Sequence, residues 1–105
     1  MLRLRLGPPS EFSGPGPWRV RRAGRPFEIR RAGGAALLAL ELTCRHQNAD
    51  LSAVATRDGL LVCPRHGWRY RETDGSCFDA PDRPLRRFRI EESDGVLWIA
   101  SQDNS

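Results

Sequence analysis

Short alternating segments separated by closely spaced turns are the feature that most constrains the fold of this chain. Four dipeptides favour the tight turns of β-hairpins, namely Gly33-Gly34, Asp58-Gly59, Asp74-Gly75 and Asp94-Gly95. The segments around these turns alternate or are apolar, and they predict strands at Leu2–Leu6, Trp18–Arg22, Phe27–Arg31, Ala35–Thr43, Leu85–Glu91 and Val96–Ala100. We therefore expect an all-β chain of antiparallel strands.

Two segments have a sequence that is also compatible with helix. Ala35–Leu42 is rich in Ala and Leu, which favour helix, but its short length and flanking turns favour a strand. Ala49–Val54 has room for one helical turn. A chain of 105 residues fits one domain with its own core, so we predict a single domain over residues 1–105.

Cysteine and histidine are paired in two places along the chain. The sequence contains Cys44-Arg45-His46 and, after residues 47–62, Cys63-Pro64-Arg65-His66-Gly67. Both histidines of the chain and two of its three cysteines belong to this pattern. Each half offers one thiolate and one imidazole from a loop after an apolar strand, so the residues predict a metal site.

The chemistry of that site has two interpretations. Zinc accepts two cysteines and two histidines in a tetrahedron, but zinc sites usually keep like ligands paired, with two to four residues between the cysteines. One sulfur and one nitrogen ligand from each loop suits two metal ions better, each taking one residue type from both loops. A zinc-binding interaction module remains the less favoured alternative.

At these residues the chain resembles the Rieske family, whose signature is Cys-x-His followed by Cys-x-x-His-Gly. The resemblance implies one 2Fe-2S cluster per chain, with Cys44 and Cys63 on one iron and His46 and His66 on the other. It extends over roughly residues 16–100. Five further positions match the family pattern: Leu51, Gly67, Tyr70, Gly75 and Pro81.

Departures from the family pattern distinguish between the functional classes of the family. Respiratory Rieske proteins carry an extra cysteine in each loop and a membrane anchor, whereas this chain has Ala49 and Arg65 at the cysteine positions. The His-Gly-Trp-x-Tyr segment is similar to the Rieske domain of ring-hydroxylating oxygenases. Those enzymes also need a mononuclear iron on two histidines and a carboxylate. Both histidines here are assigned to the cluster, which favours the electron carrier over the oxygenase.

The resemblance therefore implies the Rieske fold: antiparallel β-sheets in a sandwich-like base, with a cluster-binding subdomain made of two loops. The base is expected at about residues 1–43 and 84–100, and the subdomain at about 44–80. The expected function is one-electron transfer from a flavin-containing reductase to a terminal oxygenase, without catalytic residues or an organic substrate. A Rieske-like small subunit of a larger redox enzyme, of the nitrite-reductase type, is the alternative.

Charge and composition bear on partners and location. The net charge is +4, and every basic residue is Arg. The arginines alternate with apolar residues and no aromatic platform lies among them, so we expect solvated strand faces and no nucleic-acid partner. Three cysteines, no signal-peptide pattern and no apolar stretch of about 20 residues predict a cytoplasmic protein without a membrane partner.

Six finer expectations concern the two loops and the cluster. Asn48 stands where the family usually has Gly, so it should adopt a positive φ. Trp68 should serve loop packing, whereas Tyr70 should pack and also hydrogen-bond the site. Cys77 should be a buried structural thiol. The reduction potential should lie nearer the lower limit of the Rieske range, about −150 mV, than the upper one. Arg45, Arg65, Arg69 and Arg71 could form a basic collar for docking, and ordinary solvated side chains are an equal alternative for Arg69 and Arg71.

Overall fold

A computed structural model describes residues 3–34 and 36–102 of the chain. Its strands are β1 (Leu4–Gly7), β2 (Trp18–Arg22), β3 (Arg25–Arg31), β4 (Leu37–Glu41), β5 (Leu60–Val62), β6 (Arg69–Arg71), β7 (Arg87–Ser93) and β8 (Val96–Gln102). These residues include one short 3-10 helix, Pro9–Phe12, and no α-helix, which confirms the all-β class. None of their helices is long and apolar enough to cross a bilayer. Leu2 and Ala35, which begin two predicted strands, lie outside the described residues.

Six strands form one antiparallel sheet in the order β1-β8-β7-β4-β3-β2, which we call the base sheet. Asp94-Gly95 joins β7 to β8 in the predicted tight turn, with φ angles of 54° and 75°. Ala23-Gly24 makes the same kind of turn between β2 and β3, with φ angles of 51° and 73°. The sequence did not predict this second turn, because Ala rarely adopts a positive φ.

The base sheet curves so that its two edge strands approach each other. The Arg22 guanidinium, on β2, donates hydrogen bonds of 3.1 and 2.8 Å to the Leu6 carbonyl on β1. Inside the curve, Phe27 and Phe88 meet edge to face with ring centroids 5.7 Å apart. The buried side chains of this first core are Leu6, Phe12, Phe27, Ile29, Ala39, Phe88, Leu97 and Ile99.

A second unit lies between β4 and β7 in the chain. Strands β5 and β6 form a two-stranded antiparallel sheet, the small sheet, which a bridge between Tyr70 and Cys77 extends. Residues 49–54 contain one turn, closed by a hydrogen bond from the Val54 amide to the Leu51 carbonyl. This unit has its own core, made of Leu42, Cys44, Ala49, Leu51, Leu61, Cys63, Tyr70, Cys77 and Leu85.

A buried ionic network joins the base sheet to the second unit. The Glu28 carboxylate, on β3, is 1% exposed and accepts hydrogen bonds from Arg19 at 3.1 Å and Arg30 at 3.0 Å. Arg19 also donates to the carbonyls of Ser52 and Val54, at 3.0 and 2.6 Å. The second unit is thereby anchored to the outer strands of the base by charge-assisted hydrogen bonds.

Candidate metal centre

Two loops of the second unit have the same backbone design. In the first, the Cys44 carbonyl accepts from the Asn48 amide at 2.8 Å, and the Cys44 amide donates to the Ala49 carbonyl at 2.8 Å. In the second, Cys63 makes the equivalent bonds with the Gly67 amide and the Trp68 carbonyl, at 2.9 and 2.8 Å. Each loop thus wraps around its cysteine.

The equivalence explains the residue that follows the first histidine by two positions. Asn48 has a φ of 57°, and its counterpart Gly67 has a φ of 73°. The loop therefore requires a left-handed residue at this point, and Asn tolerates that conformation better than most side chains. The predicted positive φ of Asn48 is confirmed.

The loops bring three predicted site residues together at the atoms that bind metals. The Sγ atoms of Cys44 and Cys63 and a ring nitrogen of His66 all lie within 4.8 Å of one another. Both thiols are buried, at 0% and 1% exposure. The Nδ1 atom of His66 lies 3.7 Å from the Cys63 Sγ. The sulfur donors thus lie at the base of the site.

His46 reaches the site by ring contact. Its imidazole lies 4.3 Å from that of His66 between centroids, at an interplanar angle of 72°. The Trp68 ring lies 4.8 Å away from the His46 ring and packs against the second core, as the prediction of loop packing required. His46 is exposed and His66 is partly exposed, so both imidazoles lie at the surface above the thiols.

Hydrogen bonds converge on the Cys44 sulfur. The Tyr70 hydroxyl donates to it at 3.4 Å and accepts from the Arg45 amide at 2.9 Å. Burial raises the pKa of the Cys44 thiol, but hydrogen bonds from Tyr70, from Cys63 and from the amides of His46 and Gln47 outweigh burial and lower that pKa overall. Tyr70 is fully buried, so it packs and hydrogen-bonds as expected, and burial raises the pKa of its own hydroxyl.

The arginines of the expected collar are not equally available. The Arg45 guanidinium donates to the Pro84 carbonyl at 2.8 Å. Arg69 makes a two-pronged ion pair with Asp79, at 3.0 and 3.2 Å, and Arg71 lies over the Phe78 ring, 4.5 Å from its centroid. Arg69 and Arg71 share the exposed face of β6, as period-two alternation predicts.

Two further residues complete the surroundings. Cys77 is buried at 3% exposure in the second core, in agreement with a structural thiol. The Gln47 side chain was not predicted as part of the site, yet its Oε1 lies 3.0 Å from the Nε2 of His66. The available signal was its position, since an amide adjacent to a ligand candidate can reach the other loop. Burial, followed by the positive charges of His46 and Arg65, lowers the pKa of His66.

The donor set fits a two-iron cluster. Two buried thiols surrounded by N–H and O–H donors are suited to remain as thiolates. Neutral imidazoles are suited to a second metal ion at the solvent side. Chemically, the arrangement can hold a redox cofactor close to the surface while the protein shields its sulfur ligands.

Comparisons with known proteins place this geometry in a family. The sequence model of the Rieske [2Fe-2S] domain matches residues 3–89. Chlorophyllide a oxygenase of Chlamydomonas reinhardtii is 32% identical over 62 residues, which cover 53% of this chain and 10% of that protein. This chain spans 10–29% of the length of its curated relatives.

Two solved structures match nearly end to end. A chain from a complex of reduced oxygenase and oxidized ferredoxin in carbazole 1,9a-dioxygenase is 27% identical, with a TM-score of 0.60, and the match covers 98% of this chain and 97% of that one. The ferredoxin of carbazole 1,9a-dioxygenase from Nocardioides aromaticivorans has 17% identity and a TM-score of 0.58, covering 95% and 98%, and supports the fold.

Proposed function

Because the chain belongs to the Rieske [2Fe-2S] domain family, we propose that Cys44, His46, Cys63 and His66 hold its 2Fe-2S cluster for one-electron transfer. The observation that carries this assignment is the convergence of two buried thiols and the His66 ring from two loops of the same design. In the family arrangement, the thiolates bind one iron and the imidazoles bind the other.

The residues around the site have distinct tasks in this function. When bound, the cluster supplies a one-electron couple at nearly constant geometry. Tyr70 and the amides of the first loop stabilise negative charge on the Cys44 sulfur. The second core keeps water away from both cysteines. The exposed ring of His46 and the partly exposed ring of His66 lie between the buried thiols and the surface that a partner would contact.

These 105 residues act as an electron carrier and do not supply the mononuclear iron site of an oxygenase. A mononuclear iron site of the oxygenase type needs two histidines, and both histidines of these 105 residues are assigned to the cluster. The likeness to a chain from a complex of oxygenase and ferredoxin supports this carrier role. Its partners are then a terminal oxygenase as acceptor and a flavin-containing reductase as donor, in the cytoplasm.

The domain organisation belongs to the same proposal. Residues 1–105 form one domain, with its base at about 1–43 and 84–100 and its cluster-binding subdomain at about 44–80. Two separate cores, one inside the base sheet and one beneath the loops, support this division. The ionic network around Glu28 supports a fixed contact between the two parts.

Metal and sulfide analysis tests the assignment of the cofactor and its ligands. Protein made with adequate iron should contain two irons and two acid-labile sulfides per chain and lose colour on reduction. His46→Ala and His66→Ala should each lose the cluster and become less stable, since metal binding is coupled to folding. Cys77→Ala is the matched control, and it should retain iron and sulfide. Stoichiometric zinc without sulfide would falsify the proposal.

A further inference from the structure

Gln47 belongs to the first loop of the site and contacts the second loop. Its side-chain Oε1 lies 3.0 Å from the Nε2 of His66, which is 19 residues further along the chain in the other loop. One exposed residue of the first loop thus contacts the imidazole of the second loop.

The contact selects one form of the His66 ring. An amide oxygen can only accept, so this contact requires a hydrogen on the Nε2 of His66, and in the neutral ring the lone pair is then on Nδ1. Nδ1 is the atom that faces the buried thiols, 3.7 Å from the Cys63 sulfur. The hydrogen bond therefore leaves the lone pair on the side of the metal site, in the way that outer partners of metal-bound histidines usually do.

His46 is held differently. Within residues 3–34 and 36–102, its ring nitrogens have no hydrogen-bond partner, and its ring is positioned by contacts with Trp68 and His66, at 4.8 and 4.3 Å. It is also the more exposed of the two imidazoles. The two histidines are consequently inequivalent, since only one outer N–H is satisfied by the protein.

We propose that Gln47 is a positioning residue for His66, which fixes that ring and occupies its outer N–H, so that His46 alone offers an open N–H to a redox partner. The inference rests on the proposed function, because it takes both histidines as cluster ligands. It extends that function by assigning the partner contact to one of the two rings.

Two measurements on the oxidised holoprotein test this role. The first is the rate at which diethyl pyrocarbonate modifies each histidine, mapped by peptide mass spectrometry. The second is the midpoint potential. Wild-type protein should be modified several-fold faster at His46 than at His66. Gln47→Met keeps the bulk but removes the acceptor, so the rate at His66 should rise several-fold. Its midpoint should also rise, because an accepted N–H makes the imidazole a stronger donor to the metal.

Two variants control for other causes. Gln47→Glu keeps an acceptor and should keep His66 protected. Gln102→Met makes the same replacement at the end of β8 and should change neither measurement. A Gln47→Met protein that takes up no cluster, beside a Gln47→Glu protein that does, also supports the acceptor role.

Other results overturn the inference. One is a Gln47→Met protein whose His66 modification rate and midpoint potential both equal those of wild type. A second is a Gln47→Glu protein in which His66 is modified as fast as in Gln47→Met. A third is failure of both variants to take up the cluster. These outcomes leave the proposed function standing if wild-type protein contains two irons and two sulfides. Zinc without sulfide in wild-type protein refutes the proposed function instead.

Discussion

Removing the buried Glu28 carboxylate should destabilise the protein more than removing a carboxylate from an exposed ion pair. Glu28 is 1% exposed, and the side chains of its partners Arg19 and Arg30 are 29% and 19% exposed. Deleting one partner of a buried ion pair typically costs about 3–5 kcal/mol, because it leaves buried charge uncompensated. Arg30 keeps a contact with Glu72 at 3.5 Å, and Arg19 keeps two carbonyl acceptors.

Because both arginines keep other contacts, the expected loss of unfolding free energy in Glu28→Ala lies near the low end of this range, at about 3 kcal/mol. A domain of this size has a total stability on the order of 5–15 kcal/mol, so the loss is a large fraction of it. The corresponding fall in melting temperature is about 12–24 °C. Thermal unfolding of holoproteins with equal iron content, followed by far-UV circular dichroism and by cluster absorbance, measures it.

The control is the exposed ion pair between Arg21 and Asp50, whose side chains are 50% and 49% exposed. Asp50→Ala should cost about 1 kcal/mol or less, because solvent screens this pair. If Glu28→Ala is no more destabilising than Asp50→Ala, the network does not anchor the second unit, and the reasoning from burial fails.

The pH dependence of Glu28 gives an independent check. Burial raises the pKa of Glu28, and the hydrogen bonds from Arg19 and Arg30 offset only part of that effect. A carboxyl group with a raised folded-state pKa contributes stability that is present below its unfolded pKa and lost as the pH rises through the folded value. Wild-type protein should therefore gain stability relative to Glu28→Gln as the pH falls from 7 towards 4. A relative loss over that range would mean that the arginines dominate.

Three further changes have definite expected outcomes. Tyr70→Phe removes the hydrogen bond to the Cys44 sulfur, so a redox titration should give a lower midpoint than wild type. Gly75→Ala should destabilise more than Gly24→Ala in chemical denaturation; both positions have positive φ, but only at Gly75 would a Cβ meet neighbours, at 3.0 and 3.1 Å. Arg65→Gln should flatten the dependence of the reduction rate by the reductase on ionic strength, and an unchanged dependence would exclude a steering role.

The sequence predicted the elements that local chemistry controls. The turns at Asp58-Gly59 and Asp94-Gly95 form as expected, with both residues of each at positive φ. The turn at Ala23-Gly24 was missed, because alanine carries no turn signal and the pairing of β2 with β3 imposes the conformation. Tertiary pairing thus overrode the preference of a single residue.

At the site, too, local sequence signals were predictive and long-range contacts were not. Spacing along the chain predicted Cys44, Cys63 and His66, whose ligand atoms lie within 4.8 Å of one another, but it did not predict what else contacts them. The roles of Gln47 and Pro84 depend on contacts across 19 and 39 residues, and no periodic pattern encodes contacts of that range. The availability of Arg69 likewise depends on Asp79, which lies on a neighbouring segment of the chain.

The contacts of the arginines change the expected mode of docking. Arg45 is tied to the Pro84 carbonyl and Arg69 to Asp79, so neither side chain is free to follow a partner. Arg65 is exposed in the second loop, immediately before His66. A uniform basic collar would surround both loops, whereas this arrangement places the exposed positive charge of Arg65 in the second loop. Under the proposed function, long-range attraction should then orient an acidic partner towards the second loop, and short-range contact should involve the exposed ring of His46.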